Sequence, residues 1–346
     1  MKPNLAMWKK SLSSLVKINS REEWNGLDIL SKWLISTRSG VTIVTLYSCA
    51  IGGLLAWRDG YFSVLPWIII TVGLFVAHGT NNLLNDYTDF SRGVDSDNYF
   101  RTQYGAHPLV QGFWTKKQQL SWFAASGFAA VFSGVFALFY ARFSPIIFIL
   151  FGVGVFVLLF YTWPLKHIAL GELSIFLVWG PILVSGVYLV LAKGVLDSIV
   201  GVVWVAIPFG LSVVSINIGK HIDKSAEDRI KKVGTLPVVI GEKATRILNM
   251  INIIFIYLVI LYLVFVPRIL TPVVLIVFLA GKRAFLALAV HTKPRPLEPP
   301  KEWPAWPTWF SGFAFHHNRL FSNLFILALF LDVILRLCIP GFWPAK

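Results

Sequence analysis

HGTNNLLNDYTDFSRGVDSDNYFRTQYGAHPLVQG, residues 78–112, follows directly on an apolar run from Phe62 to Val76 and carries four carboxylates, Asp86, Asp89, Asp95 and Asp97, with no lysine among them. A helix continuing out of the apolar run places Asp86 and Asp89 about 60° apart, one turn along the same face, with Asn82, Asn85 and His78 above them. Carboxylates stacked in this way repel each other unless a cation sits between them. Hard oxygen ligands suit Mg²⁺, which takes one or two carboxylates and fills its shell with water and substrate phosphate. The alternative reading of the same residues is a solvated acidic helix end.

Working outward, the chain is 56% hydrophobic and only 14% charged, with a mean hydropathy of +0.69, which excludes ordinary soluble-domain usage. Apolar runs near the length of a bilayer crossing recur at 39–57, 62–84, 119–141, 145–162, 171–192, 195–217, 247–266, 269–290 and 319–339. The expected fold is therefore an all-α polytopic membrane protein. About nine transmembrane helices would bundle around a central cavity, with two acidic motifs at one end. Residues 1–34, with Lys9, Lys10, Lys17 and Arg21 beside Trp8 and Trp24, read as a basic interfacial arm and not as a cleaved signal peptide. Cys49 and Cys338 fall inside apolar runs and read as small apolar residues.

The basic residues set the orientation. Of 31 Lys and Arg, 25 fall on the arm and on the loops after the second, fourth, sixth and eighth runs, and 6 on the other side. That asymmetry places the N-terminus and both acidic loops in the cytoplasm of a cell (inner) membrane and the C-terminus outside. The net charge of +14 is then a topology signal and a means of meeting anionic lipid, with no nucleic acid required.

A second acidic cluster follows the sixth run. Asn217 leads into GKHIDKSAEDRIKKVGTLPVVIGEKATR, with Asp223, Glu227 and Asp228 among Lys220, Lys224, Arg229, Lys231 and Lys232. Two apolar helices four runs apart thus end on one face in an asparagine followed by acids. The repetition suggests two half-sites converging on a cation–phosphate group. Arg101 lies close enough to the first acids either to pair with them or to take phosphate oxygens. Tyr161, Lys166, His167 and Glu172 share the turn YTWPLKHIALGE, where a single lysine reads equally as an interfacial anchor. His78 reads as a hydrogen-bonded packing histidine, and His316 and His317 as a weak metal site. The Pro- and Trp-rich segment 292–318 reads as a loop on the cytoplasmic surface.

NDYTDFSRGVD, residues 85–95, resembles the first acidic motif of the UbiA superfamily of intramembrane prenyltransferases. Its continuation resembles most the branch that prenylates 1,4-dihydroxy-2-naphthoate in menaquinone synthesis. Residues 223–241 are similar to the family's second motif, and YTWPLKHIALGELSIFLVWGP to its turn after the fourth span, so the likeness covers about residues 35–340. The second motif departs from the pattern: Lys224 stands four before Asp228, where the family places an acid. The resemblance implies transfer of a polyprenyl group from polyprenyl diphosphate to a hydrophobic aromatic acceptor of the quinone-precursor kind.

By the same resemblance, Asp86 and Asp89 with Asp223, Asp228 and Glu227 hold two Mg²⁺ ions, for which Mn²⁺ substitutes. Arg101, Lys166 and Lys231 or Lys232 cover the remaining diphosphate charge; Asn82, Asn85 and Tyr161 position ligand or acid. If Asp223 stands in for the missing acid, the helix is expected to be broken near Ser225 and Lys224 to point away. Two rivals remain open on the residues alone, a transporter with an acidic cytoplasmic mouth and a catalytically silent relative.

Overall fold

The computed structural model describes residues 2–344 apart from 98, 302, 304, 305 and 340. The described residues form helices and no strand beyond a single parallel bridge between Ile168 and Gly234. In chain order the helices are α1 Leu5–Ser13, α2 Arg21–Asn25, α3 Ile29–Ser36, α4 Ile43–Arg58, α5 Val64–Ser91, α6 Phe100–Tyr104, α7 Lys116–Tyr140 and α8 Pro145–Phe160. They continue with α9 Gly171–Leu177, α10 Leu183–Leu191, α11 Ile199–Asp223, α12 Ser225–Ile230, α13 Leu236–Ile240, α14 Glu242–Phe265, α15 Gly281–His291 and α16 Phe310–Cys338.

Among the described residues, seven helical segments are long and apolar enough to cross a membrane: α5, α7, Gly171–Leu191, α11, α14, Pro272–His291 and α16. The expected first and fourth spans are the apolar helices α4 and α8, of 16 residues each. At 1.5 Å per residue each is about 24 Å long, short of a full hydrocarbon core. The span Gly171–Leu191 joins α9 to α10 through a π turn, Val178–Ile182, around Pro181. Proline removes one backbone donor, and the widened turn absorbs the loss.

The membrane helices bury one large apolar cluster, with Tyr188, Phe209, Phe310, Phe321 and Phe325 at its centre. Many large apolar side chains stay exposed, among them Phe128, Phe132, Phe139, Ile149 and Phe156 on α7 and α8, as expected of a lipid-facing surface.

Both ends of the chain pack on the membrane helices. In residues 1–34, Val16, Ile18, Trp24 and Leu27 are buried against Leu83, Ala106 and Trp114, and Trp24 stacks on Phe113 at 5.1 Å. The surface loop is shorter than 292–318, because α16 already begins at Phe310. The apolar repeat of FSGFAFHHNRLF continues the last span inward past its expected start at 319, and His317 is buried in that helix with Nε2 2.8 Å from the Tyr257 hydroxyl. It packs as a hydrogen-bonded core residue and not as a metal ligand.

Candidate active site

The last three turns of α5 carry Asn82, Asp86 and Asp89 on its buried face. The sequence runs from apolar to acidic with no break in helical propensity, so one rigid helix projects the acids beyond the apolar layer. Arg38, in the link between α3 and α4, meets them from the N-terminal side. Its Nη2 lies 3.2 Å from Asp86 Oδ1 and donates to the Asn82 carbonyl and side chain at 3.2 Å and to Asn85 Oδ1 at 3.3 Å. Arg101 on α6 donates from Nη2 to Asp86 Oδ2 at 3.2 Å and to the Ala106 carbonyl at 2.9 Å. Burial would ease the proton off the Arg101 guanidinium, but the Asp86 charge holds its pKa above the ordinary value.

The two asparagines orient this cluster. Asn82 Nδ2 donates to the Thr37 carbonyl at 2.7 Å, and Asn85 Nδ2 to Thr162 Oγ1 at 3.0 Å. They tie α5 to the end of α3 on one side and to the turn after α8 on the other. That turn carries Lys166, whose Nζ donates to both oxygens of Asp89 at 2.9 and 2.7 Å. The turn is itself fixed to the second motif, since Ala169 N donates to the Gly234 carbonyl at 3.0 Å. A Cβ at position 234 would lie 2.3 Å from the His167 carbonyl oxygen, so only glycine permits this approach.

At the second motif α11 stops at Asp223, Lys224 leaves helical geometry, and α12 starts at Ser225. The break falls where it was expected, but its consequence differs. Asp223 turns toward the start of α16, accepting from Phe310 N at 2.9 Å, Ser311 N at 3.0 Å and Ser311 Oγ at 2.7 Å, so it works as an N-terminal cap. Lys224 does not point away. Its Nζ donates to Asp228 Oδ1 at 2.8 Å and to the Tyr99 hydroxyl at 3.2 Å.

Asp228 is fully buried and also accepts from Tyr99 OH and, at 2.8 Å, from Thr235 Oγ1. Burial would raise the Asp228 pKa, and the Lys224 ammonium more than reverses it, leaving the carboxyl below its ordinary value. Burial likewise works against the Lys224 charge, and Asp228 holds the lysine well above its usual value.

The structure therefore brings together Asp86, Asp89, Asn82, Asn85, Arg101, Lys166 and Asp228, and sets others apart. Asp223 is occupied at α16. Lys231 Nζ is drawn to Ser96 Oγ at 2.7 Å and to the exposed Asp97 at 3.0 Å, and Lys232 is exposed. Glu227 is half-buried, with Oε2 buried and unpaired. Tyr161 OH lies 3.5 Å from Asn217 Oδ1.

Residues that the sequence did not single out join the site. They are Arg38, Tyr99, Thr235 and His221; Glu172, named in the turn after α8, pairs with His221, and Lys220 lies in the last turn of α11. A helical count offers the one available signal for Lys220 and Lys224, which are four apart on the face that follows Asn217.

One group of potential ligating atoms stands out among the described residues: Asp86, Asp95 and His107 each offer an atom within 4.8 Å of the others, all buried. His107 Nε2 donates to Asp95 Oδ2 at 2.9 Å, while Asp95 Oδ1 is buried without a donor and Asp86 Oδ1 has only the Arg38 guanidinium, at 3.2 Å and outside hydrogen-bond geometry. Unpaired buried carboxylate oxygens are costly, and a divalent cation satisfies them, so this donor set fits one.

Beside the acids lies an apolar cavity of about 340 Å³ between α4, α5, α7, α8 and the α9–α10 span. Ile70, Leu74, Phe123, Val131 and Phe151 line it, and His78, Asn81 and Tyr161 form its polar end. Asn81 lies one turn along α5 from Asn85, so the polar end of the cavity adjoins the stretch of helix that carries the ion-pair network. His78 is held by Thr45 Oγ1 at 2.7 Å, the packing role expected of it.

The UbiA prenyltransferase family model matches residues 46–318. The chain belongs to this family. It is 27% identical over 231 residues to "UbiA prenyltransferase domain-containing protein 1" of Danio rerio, covering 64% of this chain and 66% of that protein. It is also 27% identical over 227 residues to the homolog of that protein in Drosophila melanogaster, covering 63% of this chain and 60% of the relative. In both, the match spans less than two thirds of the relative's length. A UbiA homolog from Aeropyrum pernix K1 shares the fold, with a TM-score of 0.62 at 16% identity over 86% of this chain and 98% of the other. In this UbiA-family chain both acidic motifs fall inside the matched segment, as does the turn that carries Lys166.

Proposed function

We propose that this UbiA-family protein transfers a polyprenyl group from its diphosphate to a hydrophobic aromatic acceptor of the quinone-precursor kind, within the membrane. The observation that carries this reading is the succession of two environments along α5: Asn81 at the polar end of an apolar cavity and, from one turn further on, the buried acids with their cations. A prenyl diphosphate has the same division, an anionic head and an apolar tail.

Asp86, Asp89 and Asp95, with His107 beside them, would hold Mg²⁺ or Mn²⁺ against the diphosphate. The bound cation would supply Lewis acidity that stabilises the departing diphosphate. Arg38, Arg101 and Lys166 now neutralise the acids, and on donor binding they turn part of their donors to phosphate oxygens. Asn82 and Asn85 hold the helix end and the turn in register. The C1–oxygen bond breaks with its electron pair going to the diphosphate, the acceptor ring supplies the pair for the new bond to C1, and the ring proton leaves to water. The apolar cavity excludes water from the allylic cation in the interval. The distribution of basic residues supports a cytoplasmic diphosphate site in the inner membrane, with the C-terminus outside; Lys346 itself lies outside the described residues.

The test is release of diphosphate from a labelled polyprenyl diphosphate by purified protein with a 1,4-dihydroxy-2-naphthoate acceptor. Release should require Mg²⁺ or Mn²⁺, and Asp86→Asn should lower it by about two orders of magnitude or more while the protein stays folded. Full turnover of Asp86→Asn in excess chelator would refute the mechanism.

A further inference from the structure

Deepening that reading, we propose that the second half-site binds the diphosphate with ammonium groups in place of a metal. Lys224 and Lys220 take the position of a second ion, and the site works with one divalent cation, at the first motif. The inference departs from the two ions that the resemblance implies, and it rests on the donor-binding reading above.

Three observations carry it. The first is saturation: Asp228 already receives Lys224, Tyr99 and Thr235, and has no unpaired oxygen, whereas in the first half-site Asp95 Oδ1 is buried without a donor and Asp86 Oδ1 has only the Arg38 guanidinium, at 3.2 Å and outside hydrogen-bond geometry. An incoming ion at Asp228 would have to displace a buried ammonium and two hydroxyl donors, whereas at Asp89 it displaces Lys166 alone. Asp223, the partner the sequence suggested for it, is bound to the start of α16, and Glu227 Oε2 is unpaired but belongs to no cluster of three ligands among the described residues.

The second observation is donor capacity. An ammonium has three N–H groups; Lys224 uses two of them, on Asp228 and Tyr99, and keeps one. Lys220 lies in the last turn of α11, four residues before Lys224, and has no hydrogen bond or ion pair among the described residues. Two lysines thus present free N–H groups where an anion is to bind.

The third is charge. Four acids, Asp86, Asp89, Asp95 and Asp228, face four ion-paired cations, Arg38, Arg101, Lys166 and Lys224, and Lys220, whose charged form a bound diphosphate would favour, brings the sum in the complex to one positive charge. A diphosphate ester carrying about three negative charges at neutral pH is then balanced by one divalent ion. A second ion would leave two positive charges buried at the membrane surface, which is unfavourable.

The experiment counts Mn²⁺ bound to the purified full-length protein by electron paramagnetic resonance, in the presence of an unreactive prenyl thiodiphosphate. One ion per chain is expected, with none in Asp86→Asn. In Lys224→Gln the count should stay at one while the analogue binds at least tenfold more weakly. Two ions in the native protein, one of them lost in Asp228→Asn or Glu227→Gln, would overturn the inference and leave the prenyl-transfer reading standing. An unchanged analogue affinity in Lys224→Gln would also overturn it. Analogue binding that needs no metal at all would refute the donor–metal reading and this inference with it.

Discussion

Replacing Lys224 with Met removes an ammonium and keeps the length of the side chain, so it isolates the charge that offsets the burial of Asp228. Asp228 has no exposed surface and would retain two hydroxyl donors, Tyr99 and Thr235. Breaking a buried ion pair costs about 3–5 kcal/mol, and the two remaining donors place this case near the lower end, about 3 kcal/mol. At about 2 °C per kcal/mol for a chain of this size, the melting temperature should fall by about 6 °C.

The loss should depend on pH. In the native protein the Asp228 carboxyl lies below its ordinary value, so its contribution is complete above about pH 4 and is lost only as pH falls further. Without Lys224, burial is unopposed and the folded pKa rises above the unfolded one. The destabilisation then grows as pH rises from about 4 and levels off above the new folded value. Thermal melts of detergent-purified protein should therefore show a smaller deficit at pH 5 than at pH 8, and Lys224→Met combined with Asp228→Asn should recover most of it. A deficit under about 1 °C at pH 8, or one that grows toward acid, would refute the assignment of Lys224 as the counter-charge of Asp228.

Asp223→Asn should act on stability, because its carboxylate caps α16: a loss of about 1–2 kcal/mol is expected, with kcat nearly unchanged. Abolished turnover at an unchanged melting temperature would return Asp223 to the metal site. Gly186 lines the apolar cavity, and a Cβ there would meet nothing within 4 Å, so Gly186→Phe should fold and shorten the cavity. With donors of increasing length, kcat/KM should drop about tenfold or more for the longest while the shortest are little affected; a uniform loss across all lengths would place the tail elsewhere.

The sequence by itself determined the architecture and half of the site. Hydrophobic runs fix membrane helices because backbone groups in lipid must be paired internally, and that constraint is local enough to read from composition. It determined the first motif for the same reason: Asp86, Asp89, Asn82 and Asn85 lie on one uninterrupted helix, where spacing alone sets which residues share a face. The second motif was legible only in part. Its helix breaks at Lys224, and once the period of 3.6 is lost, spacing no longer says which acid meets which. Whether Asp223 faces a metal or the start of α16 depends on an element 87 residues away, and whether Lys224 points outward or into Asp228 depends on Tyr99 from the loop after α5. Arg38 entered the site through the packing of the N-terminal helices on α5, a contact between segments 44 residues apart that has no periodic signature. Local propensity decides elements; the pairing of buried charges is decided where elements meet, because a charge removed from water takes whichever partner the tertiary packing brings within reach.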